Sequence, residues 1–156
     1  TYDIEVGRDK YTRDKAERVI YLQHVRPLFD CLGCCRLQWV ETGLSLEYYA
    51  RAYTAATGLK TSVEELLKAS ERVFNLTRAI NVRRGLTARE DRLPDRAFED
   101  PVPNGVVKGY KLDRAKFEEL LRAYYELRGW DPETGVPTRA KLEELGLKDV
   151  ADALGL

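Results

Sequence analysis

The chain has 156 residues, 44% of them apolar and 33% charged, with 26 basic residues set against 26 acidic ones. That is enough for one domain with a hydrophobic core and too apolar for a disordered chain. Balanced charge without a basic stripe argues against a nucleic-acid partner, and no apolar run nears the roughly 18 residues of a membrane span; with no signal-peptide pattern either, a cytoplasmic protein is expected.

No methionine is present, even at position 1. Thr1 therefore either follows removal of an initiator Met or opens a piece of a longer polypeptide. Residues 1–12 are polar and aromatic without a clear period and read as an extended arm. From Arg13 the apolar residues Ala16, Val19, Ile20, Leu28 and Phe29 form a helical stripe, which Pro27 is expected to kink or end because its ring removes a donor. Cys34 to Val40 reads as a short helix ended at Glu41-Thr42-Gly43. Ser45 caps a helix carrying Tyr48, Tyr49, Ala52, Tyr53 and Ala56, which Gly58 stops. Thr61 with Glu64, and Ser62 with Glu65, both have capping-box spacing. The helix they open is the longest, with Leu66, Leu67, Val73, Phe74, Thr77 and Ile80 on one face and Gly85 at its end.

Residues 86–112 gather the Pro/Gly-containing material into a long irregular loop, unusual in a compact domain and so functional, covering or mobile. Asp113 caps the next helix, with Phe117, Leu120, Leu121 and Tyr124 as its apolar stripe and Gly129 as its stop. Thr138 caps a short helix ending at Gly146, and a last turn carries Val150 and Leu154. No alternating pattern of useful length occurs. The fold class read from this pattern is all-α, a single irregular multi-helix domain over 1–156.

All three cysteines fall in the stretch Asp30-Cys31-Leu32-Gly33-Cys34-Cys35-Arg36. Three readings are open. Cysteine packs well in cores, so the group can be structural. Cys31 and Cys34 have C-x-x-C spacing, which near a helix N-terminus supports thiol chemistry; zinc would need four soft ligands, and elsewhere the chain has only His24 to offer. Third, the turn can give one thiolate to an iron–sulfur cluster, since three ligands crowded into five positions would not fit one cubane well.

Asp30-x-x-Gly33-x-Cys35, following a helix with Lys15-Ala16-Glu17, resembles the second pterin-binding signature of the tungsten-containing aldehyde ferredoxin oxidoreductase family. Further stretches are similar to that family in order: Phe74-Asn75, Asn81-x-x-x-Gly85, Asp91-x-Leu93-Pro94-x-Arg96, Tyr124-Tyr125-x-x-Arg128-Gly129-Trp130-Asp131, Gly135-x-Pro137-Thr138 and Leu142-x-x-Leu145-Gly146-Leu147. The resemblance implies the C-terminal helical part, or a separate subunit, of an enzyme that oxidises aldehydes to carboxylic acids and passes electrons to ferredoxin. It implies a tungstopterin (or molybdopterin) and a [4Fe-4S] cluster in the complete enzyme, and neither in this chain alone. Cys35 would be the fourth cluster ligand. Asp30 would accept hydrogen bonds from pterin amino groups, Gly33 would let the backbone approach the pterin, and Cys34 and Arg36 would line it. Cys34 stands where the family has Leu or Met, and Cys31 is extra. The other cluster cysteines, the first pterin signature and the acid–base residues have no match here, so no catalytic residue is assigned. The implied partner is the N-terminal, β-rich and cluster-binding region of the same enzyme or of another subunit. Alternatives are a class II benzoyl-coenzyme A reductase-type subunit and a non-catalytic helical interaction module.

Outside the turn the expectations are plainer. His24 belongs at a helix surface or core edge. Arg78, Arg83 and Arg84 either meet pterin phosphate or a missing domain, or form a solvated face paired with Glu64, Glu65 and Glu71. Tyr48, Tyr49, Tyr53, Tyr124 and Tyr125 pack in the core with polar tips outward, and Trp130 packs the C-terminal turn. A domain cut from a larger enzyme leaves an apolar patch uncovered and self-associates.

Overall fold

A computed structural model describes residues 10–156, so most of the arm expected over 1–12 lies outside the described residues. Helices α1 (Arg13–Leu32), α2 (Leu37–Thr42), α3 (Leu46–Thr57), α4 (Val63–Arg83), α5 (Arg96–Glu99), α6 (Arg114–Arg128), α7 (Arg139–Glu144) and α8 (Lys148–Leu154) follow in order. No strand forms among the described residues, where extended pairing is limited to one bridge between Trp130 and Pro137. The protein is all-α.

Helix starts follow their caps. The Ser45 side chain accepts from the Glu47 amide, Asp113 from Lys116 and Thr138 from Lys141. Of the two candidate capping boxes, Ser62–Glu65 forms with both arms in place; the Thr61 hydroxyl instead donates to the Leu59 carbonyl at 3.0 Å. These bonds satisfy amide donors that a helix start leaves orphaned.

Pro27 does not end α1, which continues for five residues beyond it. A mid-helix proline normally forfeits a backbone bond. One turn back, the Ser70 hydroxyl of α4 donates to the His24 carbonyl, tying α1 to α4 at this weak point. Nor does α2 begin at Cys34. Gly33 takes a left-handed conformation and the Cys34 amide turns back to α1, so helix resumes only at Leu37.

α1 packs against both α4 and α6, α3 lies on α4, and α8 meets α4 and α7. Val25, Leu28 and Phe29 of α1, Leu46, Tyr49 and Ala50 of α3, and Leu66 of α4 form the main apolar core. A smaller core joins Leu142, Leu145, Leu147 and Ala151.

The expected apolar face of α4 is corrected. Val73 and Ile80 are exposed, whereas Ser70, Asn75, Arg78 and Ala79 are buried beside Leu66. The reason is what α4 packs against: the His24 carbonyl of α1 and the 130–137 loop, both rich in polar atoms. Asn75 Oδ1 accepts from Trp130 Nε1 at 2.8 Å, and Arg78 Nε donates to the Gly135 carbonyl at 2.9 Å. On α4 these buried polar side chains are tolerated because Ser70, Asn75 and Arg78 each make at least one hydrogen bond across the interface.

On α6 the four residues of the expected stripe are only half-buried, and Tyr125 and Arg128 are the sealed ones. With Val19, Phe74 and Trp130, that stripe walls a cleft of about 590 Å³ between α1, α4 and α6. The 86–112 loop is more ordered than its composition suggests: it contains α5, and Val102 exchanges backbone bonds with Tyr110 and Gly109.

Candidate cofactor turn

The Asp30–Arg36 turn is the end of α1. Gly33, at φ +65°, donates its amide to the Asp30 carbonyl at 3.2 Å, and the Cys34 amide donates to the Phe29 carbonyl at 2.9 Å. This pair of bonds is the Schellman arrangement, which needs a left-handed residue that glycine adopts without strain. A Cβ on Gly33 would meet nothing within 4 Å, so the turn is open above the glycine. Phe29 in turn sits in the main core, edge-on to Tyr49 at 5.1 Å. The turn is thereby anchored to the core through Phe29, with Leu32 packed against the same core.

Asp30, Gly33, Cys34, Cys35 and Arg36 are all exposed and lie within one surface strip. Asp30 occupies the last turn of α1, at the negative end of the helix dipole, with no basic residue in that turn. Nothing among the described residues hydrogen-bonds to its carboxyl group. Cys31 and Cys34 are free thiols. The Cys34 Sγ donates toward the Leu32 carbonyl at 3.5 Å, leaving Cys35 the cysteine beyond the turn with no such contact. Among the described residues no group of three or more His, Cys, Asp or Glu converges on one point. The thiol-exchange reading also loses its physical basis, because Cys31-x-x-Cys34 stands at the C-terminal end of a helix and not at the N-terminus that such motifs use.

The reading of tyrosine tips as outward-facing is corrected. Tyr48 is exposed, and the Tyr49 hydroxyl is buried with no hydrogen-bond partner. Burial pushes its ionisation upward, and the nearby Cys34 and Cys35 thiols push it further. The open backbone at Gly33 and the unpartnered, exposed Asp30 fit a group held against the turn. In the pterin reading, Asp30 would take the amino groups and Cys35 the cluster iron.

Where α1 meets α4 and α6 lies a second polar group that the sequence reading missed as a unit. Arg128 is only 2% exposed, with Cζ 4.1 Å from the Phe74 ring centroid. It donates to Gln23 Oε1, to the Tyr124 hydroxyl at 3.2 Å and to His24 Nε2 at 2.8 Å. His24 is therefore at the core edge, as expected, and burial with the Arg128 charge lowers it to about 4. Arg78 is not on a solvated face. Its guanidinium lies 5.0 Å over Trp130 and pairs with Asp91 through Nη1–Oδ1 at 2.9 Å and Nη2–Oδ2 at 2.6 Å. Tyr125 donates to Asp91 Oδ2 at 2.7 Å. Glu71 pairs with Lys141 at 3.3 Å, and Glu65 serves the capping box. The arginine spacing alone gave no means of telling Arg78 from exposed Arg83 and Arg84.

A family model described as aldehyde ferredoxin oxidoreductase, domains 2 and 3, matches residues 1–147. The chain is similar to the tungsten-containing aldehyde ferredoxin oxidoreductase of Pyrococcus furiosus, with 37% identity over 149 residues, 95% of this chain and 24% of that protein. The corresponding protein of Thermococcus kodakarensis is 36% identical over the same shares. Among solved structures, the active site complex of benzoyl coenzyme A reductase with 1,5-dienoyl-CoA superposes with a TM-score of 0.72 at 28% identity, covering 91% of this chain and 20% of that one. The chain spans about a quarter of the length of the curated relatives it matches.

Proposed function

Because the chain belongs to the aldehyde ferredoxin oxidoreductase family, within its domains 2 and 3, we propose that it forms the C-terminal helical part, or a subunit, of a tungsten-pterin enzyme oxidising aldehydes to carboxylic acids. The observation that carries this reading is the turn itself: Asp30 and Cys35 stand exposed and unpartnered on either side of a left-handed Gly33. Cys35 gives one thiolate to a [4Fe-4S] cluster whose other ligands lie on a β-rich, cluster-binding N-terminal region of the same enzyme or of another subunit. Asp30, acceptor-only when ionised, takes hydrogen bonds from pterin amino groups. Gly33 admits the pterin to the backbone, and Cys34 and Arg36 line its edge.

The bound tungsten and cluster supply the redox chemistry: an aldehyde and a water become a carboxylic acid, with two electrons leaving singly to ferredoxin and the protons to solvent. This chain's own residues orient and separate the two groups. One rigid turn holding both fixes their distance, because Asp30 is in α1 and Cys35 is five residues on, beyond two backbone bonds that close the helix. No residue here is assigned a proton-transfer role, and the chain alone is inactive. A cytoplasmic location belongs to the same proposal; no helix among the described residues is long and apolar enough to cross a membrane.

The fold match to benzoyl coenzyme A reductase favours a second reading, in which the same turn serves an enzyme that reduces an aromatic ring. The assembled enzyme separates the two: aldehyde-dependent reduction of a viologen dye supports the first, and activity confined to an aromatic thioester supports the second. Metal analysis of wild type and Cys35→Ser tests both. Iron at full stoichiometry in Cys35→Ser would remove the basis of either.

A further inference from the structure

The chain has three asparagines, Asn75, Asn81 and Asn104. Two of them lie in α4, where the amide of the next residue is spent in the helix ladder. Asn75 is buried as well, with its side chain tied to Trp130 and to the Glu71 carbonyl. Asn104 differs on every count. It is exposed, and Gly105 follows it in the loop that Val102 closes through Gly109 at 2.8 Å and Tyr110 at 2.9 Å. Among the described residues, nothing hydrogen-bonds to the Asn104 side chain or to the Gly105 amide. Gly105 takes φ +83°, and a Cβ built there would meet nothing within 4 Å. Its nitrogen is therefore free and unshielded, beside a side-chain amide that is equally free.

We propose that Asn104 is a modification site, at which the folded chain deamidates itself through a cyclic imide. Hydroxide removes the Gly105 amide proton, and the nitrogen attacks the side-chain carbonyl carbon of Asn104. A C–N bond to Gly105 forms and the C–N bond to the side-chain amide breaks. Ammonia leaves after taking a proton from water, which restores the hydroxide. Water then opens the imide at one of its two carbonyls, giving aspartate by one route and isoaspartate by the other. Nothing is oxidised or reduced, and water is the sole co-reactant. Asparagine is among the thermolabile residues, and glycine as its neighbour puts no Cβ in the way of attack. Either product sets a negative charge near Val106, whose side chain is fully exposed. Isoaspartate also adds a backbone atom to the loop between its closing bonds.

The test incubates the full-length protein in buffers of rising pH and follows it by ion exchange and by peptide mapping with isoaspartate detection. The expected result is a more acidic species that forms in proportion to hydroxide, with aspartate and isoaspartate at position 104 and neither at Asn75 or Asn81. Gly105→Ala should slow it several-fold, because a Cβ then stands beside the nitrogen, and Asn104→Gln should abolish it. The same incubation in guanidinium chloride gives the rate of the unfolded chain, and Asn104 in the folded protein should react within a few-fold of it. A folded-state rate far below that reference overturns the proposal, because the loop then shields the site. Conversion as fast at Asn75 or Asn81 as at Asn104 overturns it too, as does a charge change that persists in Asn104→Gln.

Discussion

Arg128 Nη1 stands 2.8 Å from His24 Nε2. Because guanidinium can only donate, Nε2 is the acceptor and the ring is neutral. Burial, then the Arg128 charge, disfavour its protonation; Glu71 opposes them and Lys141 adds a smaller push the same way as Arg128, and the result is a value of about 4 against 6.5 unfolded. Between those values the unfolded chain binds a proton that the folded chain does not. Stability therefore rises as pH climbs from about 4 to about 6.5 and is level above. The effect should be on the order of 1–2 kcal/mol, less than the full shift because the ring is partly screened by solvent. Urea melts across this range, for wild type and His24→Gln, check it. A difference between the two proteins that does not vary with pH would contradict the assignment.

The Arg78–Asp91 pair gives a second prediction. Arg78 is buried and Asp91 partly so, with Tyr125 as a third member. Asp91→Ala leaves a guanidinium buried without its anion and should cost roughly 3 kcal/mol. Tyr125→Phe removes one hydrogen bond to a carboxylate and should cost about 1.5 kcal/mol. Chemical denaturation of both variants and of the double variant checks the ranking. The double variant should lose less than the two single losses added together, because the hydroxyl has no acceptor once Asp91 is gone.

Most helix starts and stops were legible because they rest on local chemistry: Ser45, Ser62, Asp113 and Thr138 are caps, and Gly58 and Gly129 are left-handed stops; the short α5 and the run of α1 past Pro27 to Gly33 were not. That the chain turns at Gly33 was legible for the same reason, but the exposure of the cysteines was not. Nor was the interior of α4. Apolar periodicity pointed to Val73 and Ile80, but the helix packs against polar backbone at His24 and Gly135, so Ser70, Asn75 and Arg78 turned inward. Those partners lie far away in sequence. The orphaned Tyr49 hydroxyl was invisible likewise, since a tyrosine in a stripe does not reveal which way its tip points.

Two left-handed glycines should respond differently to alanine. At Gly33 a Cβ meets nothing, so Gly33→Ala suffers only the conformational penalty, roughly 1–2 kcal/mol. At Gly135, φ +65°, a Cβ would stand 2.5 Å from Arg78 Nη2 and 3.0 Å from Tyr125 Cζ. Gly135→Ala therefore adds displacement of a buried ion pair to the same backbone strain, and should cost about 2 kcal/mol more. Thermal melts of the two variants measure the gap. Equal losses would mean that Arg78 moves aside freely, contrary to its bond with the Gly135 carbonyl.

Around the cysteine turn the surface is apolar as well as ligand-bearing. Leu37 and Val40 of α2 and Tyr48 of α3 are more than half exposed. Covering such a side chain releases roughly 1.5–3 kcal/mol, so the three together favour contact with another surface by several kcal/mol before binding entropy is charged. Under the proposed function, that surface would be the rest of the enzyme. In the isolated chain, the nearest substitute is a second copy, so sedimentation velocity should show association that strengthens with concentration. Replacing Leu37, Val40 and Tyr48 by serine should weaken it at least tenfold while leaving helix content unchanged, since none of the three is in either core. Association that survives the triple serine variant would move the sticky surface elsewhere, and a clean monomer for wild type at high concentration would mean that this face needs no cover.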